Sequence, residues 1–347
     1  MKQKEINMDK FKKIGVTALA GTLAAFTSAN AIDVSFGGTA KVTWGSTSSD
    51  RIGTESATRD AFNADSTISA SASGELDNGW TVSGFMDDIS NGMTSSAITI
   101  GMGSMGSVRV NQAATGAVDG WDDVLPVAYE ETNDGGKHAT RGIDVGDSIE
   151  GGSLSYIAPA LELGGATLNL VADFDPAAGA AAADGTGVAG AANTGSGIGY
   201  AAKLSAAGFS VYGGYSEVQT ELLDLATTSP NDKQSVMGQV TYSMGPVSIG
   251  YGEWYTNEKD AATDYSTDAY TIAFAVSDDV SISYGNMEDT KEASSDSAAV
   301  TTEMTSYQIA YTMGSMALKF AHTDTDNGYH SSAKTAENTE IAVSFSF

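Results

Sequence analysis

From Ile32 onward, the chain alternates apolar and polar residues with a period of two, and helical periodicity is scarce. The alternating segments come in pairs joined by a tight turn that contains Gly, Asn or Asp, and a longer polar segment follows each pair. Seven tight turns and eight longer connections follow one another in this way. Because every strand reverses the direction of the chain, the pattern predicts sixteen antiparallel strands, with the short turns at one end and the long loops at the other.

The predicted connections can be placed on the sequence. The tight turns lie at residues 77–79, 103–106, 159–165, 206–208, 244–246, 277–279 and 313–315. The longer connections lie around residues 46–60, 88–95, 113–147, 176–196, 219–234, 256–266, 288–304 and 324–338. The best helical segment, AATGAVDGW, is short and interrupted by Gly, so helix is expected to be minor.

The position of the charged residues separates a soluble β-sandwich from a barrel in a membrane. In MALKFA, Lys319 lies on the polar phase, between Leu318 and Phe320 on the apolar phase. A sandwich also alternates, but sixteen meandering strands leave exposed edges unless the first and last strands pair. Charge at mid-strand fits a water-filled lumen. The sequence therefore predicts an all-β fold, a 16-stranded antiparallel transmembrane β-barrel with short periplasmic turns and long outer loops.

Aromatic residues gather where the predicted strands begin or end, as they do in the two interfacial girdles of membrane barrels. The last segment, TEIAVSFSF, also ends on Phe347 and places Ile341, Val343 and Phe345 on one face. That face is expected to meet lipid, and the strand's edge is expected to pair with the first strand. The residues assigned to girdles are Phe36, Trp44, Trp80, Phe174, Phe209, Tyr215, Trp254 and Phe347.

The N-terminal segment has the pattern of a signal peptide. Lysines precede an apolar run at residues 14–26, and SANA at residues 28–31 offers small residues for cleavage. Residues 1–31 are therefore predicted to be removed, with Met8 as an alternative start, and residues 32–347 to form a single barrel domain. The Ala/Gly-rich stretch at residues 176–197 is interpreted as a surface loop.

Charge and chemistry exclude several functions. The net charge of −27 becomes more negative once the lysine-rich residues 1–31 are removed, which argues against nucleic acid as a partner. The chain has no Cys and only three His, without a metalloprotease or hydrolase motif around them, so no enzyme is predicted. No cofactor is expected beyond weak divalent cation binding at the acidic outer loops.

The third long connection differs from the others. It contains GWDDVLPVAYEE, in which an apolar VLP and a Trp stand among carboxylates. A solvated surface loop does not need Trp121, Leu125 and Pro126, which are expected to pack on a wall. This predicts that the loop folds inward against the barrel lining, with those three residues as anchors. The acids expected to line the constriction are Asp119, Asp122, Asp123, Glu130 and Glu131.

These features together resemble a general diffusion porin of the Gram-negative outer membrane. The resemblance rests on the signal peptide, the sixteen-strand meander, the terminal Phe347 and a Trp-x-Asp-Val-Leu-Pro core at residues 121–126. In that family the third loop narrows the pore and its acids face basic residues, and Asp123 matches the family's acid. Two positions depart from the pattern of that family. Val127 stands where the family often has an acid directly after the Leu-Pro, and residues 111–112 stand where the family often has Gly-Arg.

The resemblance also implies an outer-membrane location, a homotrimer, contact with lipid and lipopolysaccharide, and reading of Phe347 by the barrel-assembly machinery. The basic wall residues expected opposite the loop are Lys41, Arg59 and Arg109. The hypothesis is a channel for passive diffusion of small hydrophilic solutes and ions that prefers cations. A solute-specific channel and a structural or adhesive surface barrel remain as alternatives.

Overall fold

The computed structural model of the protein describes most of the chain beyond the predicted signal peptide, which lies outside the described residues. Described are residues 33–51, 54–87, 95–112, 114, 116–134, 143, 145–146, 149, 152–176, 182–183, 187–188, 195–219, 232–258, 263–293, 299–332 and 334–347. Within these ranges, no helix has the length and apolar character needed to cross a membrane. Helix is confined there to two single 3-10 turns, Gly103–Met105 and Asp119–Trp121.

The described ranges contain nineteen strands, seventeen of which together make the sixteen strand positions of the barrel wall. β6 and β7 both pair with β8 and occupy one position, and β9 and β10 form a separate small hairpin. The strands are β1 Asp33–Arg51, β2 Thr54–Glu75, β3 Thr81–Asp87, β4 Ser95–Gly101, β5 Ser107–Gln112, β6 Leu154–Ile157, β7 Leu161–Glu162, β8 Thr167–Asp175, β9 Ala182–Ala183, β10 Gly187–Val188, β11 Gly197–Ala206, β12 Phe209–Val218, β13 Lys233–Met244, β14 Val247–Glu258, β15 Thr263–Ala275, β16 Val280–Ala293, β17 Val300–Met313, β18 Met316–Asp326 and β19 Thr335–Ser346.

The wall strands form one antiparallel sheet in which each pairs with its neighbours along the chain. The sheet closes because β1 pairs with β2 on one side and with β19 on the other. Closure removes the two edges that an open sheet would expose. The predicted 16-stranded antiparallel barrel is confirmed.

The burial pattern of the strands is the reverse of that in a soluble sheet. On β17, Tyr307 and Ile309 are exposed on the outward face, whereas Ser306 and Gln308 on the opposite face are buried. Apolar residues thus cover the outside, and polar residues face the interior. A lipid bilayer is the solvent in which this arrangement is stable.

The first long connection predicted from sequence is wrong. Residues 46–51 and 54–60 continue β1 and β2, and the register pairs Ser46 with Asp60. The Ser46 hydroxyl donates to the Asp60 carboxylate over 2.6 Å. Polar residues can extend a strand pair above the membrane as well as form a loop, so polarity alone did not mark the end of the hairpin. Strands likewise extend into the connections predicted at residues 256–266 and 288–304.

Trp254 is another correction to the sequence interpretation. It was assigned to an interfacial girdle, yet it is only 3% exposed and faces the interior of the barrel. The reason lies in the strand phase, because Glu253 and Tyr255, the residues directly before and after it, are both exposed on the outward face. A residue directly between two outward positions of a strand must point inward.

The seam between β1 and β19 ends in a close contact between Gly38 and Phe347. The Gly38 N–H donates to the Phe347 carbonyl over 2.8 Å, and the Phe347 N–H donates back over 3.0 Å. The Phe347 ring occupies the space above Gly38, where a Cβ atom would come within 2.9 Å of Cζ. The Phe347 backbone is therefore paired at the seam, and its ring covers Gly38 although the residue is 75% exposed.

Candidate functional site

The third loop enters the barrel and runs along the inner wall. Its entry is fixed by Asp173 of β8, which is buried and accepts the backbone N–H groups of Ala117 and Val118 at 3.1 and 2.7 Å. The 3-10 turn Asp119–Trp121 follows. The returning part of the loop lies beside it, where Gly146 donates its N–H to Ser216 of β12 over 3.0 Å.

Two interior residues hold the first half of the loop. The Gln239 side chain on β13 donates to the carbonyls of Trp121 and Asp122, both at 2.9 Å, and accepts the Val124 N–H at 3.3 Å. Trp254 on β14 donates its indole N–H to the Asp122 carbonyl over 2.8 Å. The backbone of this segment therefore finds in the wall the partners that a loop outside secondary structure lacks.

A second glutamine holds the tip of the loop. Gln308 on β17 accepts the N–H groups of Tyr129 and Glu130 at 2.8 and 3.2 Å and donates to the Glu130 carbonyl. Ser283 on β16 accepts the Ala128 N–H at 2.8 Å. The loop is thus fastened to the wall at both ends of residues 121–130.

Glycines on the inner face make room for this close approach. A Cβ atom at Gly250 of β14 would lie 2.6 Å from Pro126 Cδ and 2.9 Å from Leu125 Cδ2. At Gly285 of β16 it would collide with the Thr132 hydroxyl. Side chains at these positions would displace the loop from the wall. Glycine here serves close packing rather than a special backbone angle.

The tip reaches the far wall, where opposite charges meet. The Tyr129 hydroxyl donates to the Glu340 carboxylate of β19, and Lys319 Nζ of β18 lies 4.9 Å from the centre of the Tyr129 ring. Burial is the main cause that raises the pKa of the Tyr129 hydroxyl, and the hydrogen bond to Glu340 raises this pKa further. Glu130 interacts electrostatically with Lys41 of β1 and with Lys319. Lys41 is exposed on the lumen face of β1, so open space lies beside the contact of Lys41 with the loop tip.

Two carboxyl groups of the loop are held partly in the neutral form. Burial, with the nearby Glu340 and Asp134, raises the pKa of Glu130 to about 7, although Lys41 and Lys319 oppose the shift. Burial and a hydrogen bond with Asp123 raise the pKa of Glu131 to about 9. The charge of the loop is therefore smaller at neutral pH than its acid count suggests.

The predicted acids of the loop differ in their surroundings. Asp122 is only 6% exposed, so it lies away from the open space, whereas Asp123 is exposed and Asp119 half-buried. Glu130 and Glu131 are half-buried. Among the described residues, no group of three or more His, Cys, Asp or Glu side chains could hold a metal ion.

The predicted anchors and basic residues are distributed around the same wall. Leu125 and Pro126 lie over Gly250, and the Trp121 ring meets Tyr212 edge-on with centroids 6.4 Å apart. Lys41 faces the loop tip. Arg109 lies on the inner phase of β5, opposite Thr99 and Ser155. Arg59 lies on β2, opposite Thr47 of β1. The Arg59 side chain is outside the described part of the protein.

Sequence reasoning missed the wall partners of the loop. Gln239, Gln308 and Glu340 were not singled out, and Trp254 was assigned to the wrong face. Lys319 was placed on the polar phase but was not assigned to the constriction. Their one common signal is that they lie on the inward phase of their strands. That signal identifies the lumen face but does not show which positions touch the loop.

We expect the ion selectivity to depend on pH between 6 and 8. With a pKa of about 7, Glu130 is mostly protonated at pH 6 and mostly ionised at pH 8, so the preference for cations should rise with pH. Reversal potentials in a salt gradient would measure this. In Glu130→Gln the rise over this interval should be lost, and an unchanged pH profile in that variant would exclude Glu130 as its source.

A closed barrel with an inward loop fastened to its lumen wall defines a channel-forming protein of the porin class. The chain belongs to the Gram-negative porin family, whose family model matches residues 15–347. The resemblance seen in the sequence is confirmed. The barrel fold in this family indicates an outer-membrane protein and a channel rather than an enzyme.

Solved structures share the fold at low sequence identity. The anion-selective porin from Comamonas acidovorans has a TM-score of 0.64 and 14% identity, covering 91% of this chain and 100% of that chain. OmpF of Salmonella typhi, in complex with daunomycin, has a TM-score of 0.65 and 13% sequence identity, covering 90% of this chain and 97% of that chain. The trimer form of OmpT of Vibrio cholerae has a TM-score of 0.57 and 12% sequence identity, covering 92% of this chain and 100% of that chain. A search of curated protein sequences found no match.

Proposed function

We propose that the protein is a cation-preferring channel for passive diffusion of small hydrophilic solutes, narrowed by its third loop. The observation that carries this proposal is the course of that loop, fastened along the inner wall by Gln239 and Gln308 and ending beside the exposed Lys41. A water-filled lumen removes the cost of dehydrating polar solutes in hydrocarbon. The loop then sets the size limit.

Charge across the narrowed region supports the selectivity. Asp123 and Glu130 lie on the loop, and Lys41 and Lys319 lie on the wall near its tip. Glu131, with a pKa of about 9, contributes little charge at neutral pH. Opposite charges on two sides of a narrow passage create a transverse field that orients dipolar solutes. The strongly negative net charge of the chain attracts cations to the mouth. The related Comamonas protein is described as anion-selective, so selectivity must be measured for this chain.

Recordings from purified protein in planar bilayers test this function. We expect stepwise conductance and a reversal potential that indicates cation preference. Asp123→Asn removes an exposed loop charge and should shift the reversal potential toward zero. Asp278→Asn, in an exposed turn at the opposite end of the barrel, is the matched control and should leave it unchanged.

The outcomes separate the alternatives. Anion selectivity in the parent protein would overturn the cation preference but not the channel. Conductance that saturates with one solute class would favour a solute-specific channel. Absence of conductance in correctly folded protein would favour a structural or adhesive surface barrel.

We also propose that the channel is a homotrimer in contact with lipid and lipopolysaccharide. The trimeric solved structure of the same fold supports the oligomer. Contact through divalent cations would need lipid phosphates as further ligands, because the outward acids that face one another on neighbouring strands do not form a metal site by themselves. These are Glu253, Asp268, Glu288, Glu303 and Asp326. Thermal unfolding with and without a chelator tests the cation requirement.

A further inference from the structure

The open part of the lumen lies along the first strands of the barrel. On β1 and β2, the inward residues Thr39, Lys41 and Asp65 are exposed. On β13 and β16, the inward residues Gln239 and Ser283 are instead buried beneath the third loop. Because the loop covers those strands, a solute in the lumen passes along the inner face of β1 and β2.

A recess with a volume of about 290 Å³ opens on this side of the lumen. It lies on the inner face of β1 to β4, between Ser35 and Thr99. Ser35 precedes Lys41 on the same strand, so the recess lies about 20 Å from the constriction, toward the end of the barrel that carries the short turns. Sites for small molecules usually have volumes of about 300–1,000 Å³. The recess therefore has room for a small solute and is separate from the constriction.

Hydroxyl groups line most of the recess. Ser73 of β2 pairs with Ser83 of β3, and Ser83 pairs in turn with Thr99 of β4, so three hydroxyl side chains follow one another across the sheet. Beside this row, the hydroxyls of Ser35 and Ser71 form a hydrogen bond of 2.7 Å. A hydroxyl group both donates and accepts hydrogen bonds. The recess thus offers donors and acceptors at intervals of about 5 Å, the distance between neighbouring strands.

An aromatic ring stands among these hydroxyl groups. Phe85 of β3 is the register partner of Ser71 and of Ala97, lies on the same inward phase and is half-buried. An apolar surface in a watery lumen gains free energy when a ligand covers it. A sugar ring carries C–H groups on its faces and hydroxyl groups around its edge. Such a ring therefore matches a surface in which one aromatic side chain is bordered by hydroxyl groups.

The charge of the lining argues against other classes of solute. Among the described residues that line the recess, Asp33 at the start of β1 is the only charged one. An anion would be repelled by this carboxylate. A cation would gain from Asp33 alone, whereas a neutral polyol also uses the hydroxyl groups and the ring. A carboxylate accepts hydrogen bonds from hydroxyl groups, so Asp33 is compatible with a polyol.

We propose that the recess is a binding subsite for neutral polyhydroxylated solutes with one or two sugar rings. One ring packs on Phe85 and forms hydrogen bonds with Ser71 and Ser83, and a second ring extends into the open lumen. The subsite holds such solutes on the path that leads to the constriction. Its role in transport rests on the channel function proposed above, whereas binding in the recess can be measured without conductance.

Saturation-transfer NMR of maltose with the purified barrel, in a detergent without a sugar headgroup, measures binding directly. We expect transfer to maltose that saturates with its concentration, and little transfer to a polyethylene glycol of similar size, which has no donors along its chain. Phe85→Ala removes the ring and should raise the half-saturating maltose concentration by about two- to tenfold. Equal transfer to the two probes, or an unchanged half-saturation in Phe85→Ala, would overturn the proposal.

A second hydroxyl pair supplies the matched control. Ser205 and Ser210 form a hydrogen bond of 2.9 Å on the inner face of β11 and β12, away from the recess. Ser71→Ala combined with Ser83→Ala should weaken maltose binding several-fold, whereas Ser205→Ala combined with Ser210→Ala should leave it unchanged. Compact mobility in unheated detergent gels checks that both double variants are folded. An equal loss of binding in the two would show that lumen hydroxyl groups bind sugar without a defined site, and would refute the subsite.

Planar-bilayer recordings with maltose separate this proposal from the channel function. Saturable maltose binding by barrels that do not conduct would support the subsite and refute the channel. Conducting barrels without saturable maltose binding would support the channel and refute the subsite. If both are right, the ion current should fall to a plateau as maltose is added, and Phe85→Ala should need more maltose to reach that plateau.

Discussion

The double variant Gln239→Ala, Gln308→Ala should release the third loop from the wall and widen the channel. Each glutamine binds the loop backbone through three hydrogen bonds. Leaving such buried groups without their partners costs about 1–3 kcal/mol per site. Since about 1.4 kcal/mol is a factor of ten, the released population should rise tenfold or more. We expect a higher single-channel conductance and entry of solutes that the parent excludes.

A neighbouring glutamine supplies the control for this experiment. Gln234 lies on β13 like Gln239, but on the outward phase shared with the exposed Val236. Gln234→Ala should leave conductance and the size limit unchanged. Equal size limits in the parent and the double variant would show that the glutamines do not position the constriction. Gly285→Val offers an independent route to the same result, because its side chain would occupy the space of Thr132.

Closing of the barrel should become less favourable when the space beneath the Phe347 ring is filled. In Gly38→Val, the new side chain would occupy the position of the Phe347 ring. The Phe347 ring is 75% exposed and can turn away, so the expected cost is the loss of its contact with Gly38 rather than overpacking of a core. We expect a modest loss of folded barrel, measured as the fraction that keeps its compact mobility in unheated detergent gels after refolding into lipid.

The adjacent glycine and the terminal residue make the test specific. A Cβ atom at Gly37 would meet only ordinary contacts, at 3.5 Å from Ser69 Oγ and 3.9 Å from the Phe347 carbonyl, so Gly37→Ala should fold normally. Refolding from pure components contains no assembly machinery. If Phe347→Ala refolds fully there but assembles poorly in cells, Phe347 acts as an assembly signal. Normal refolding of Gly38→Val would refute the role of the seam contact.

The barrel could be predicted from sequence because its two faces meet different solvents. Lipid outside and water inside impose period-two alternation on every strand, and tight turns join the two strands of each hairpin. The ends of the strands could not be predicted as well. Ser46 and Asp60 show why, since a polar pair that continues a ladder above the membrane has the same composition as a loop.

The inward course of the third loop was also accessible to sequence reasoning, because Trp121, Leu125 and Pro126 are out of place in a solvated segment. Its fastening was not accessible. Gln239 lies 115 residues from Val124 along the chain, and its partners are backbone groups that every residue has. An amide on a lumen face looks the same in sequence whether it meets water or a loop.

The pairing of β1 with β19 has a consequence for biogenesis. Thr39 and Ser346 are register partners although they stand at opposite ends of the barrel sequence. Contacts of such large sequence separation form slowly, because a long chain must be closed before they contribute. The first strand cannot complete its pairing until the last strand has been synthesised. Through that delay the apolar faces of the strands are uncovered, so the unclosed chain is prone to aggregation.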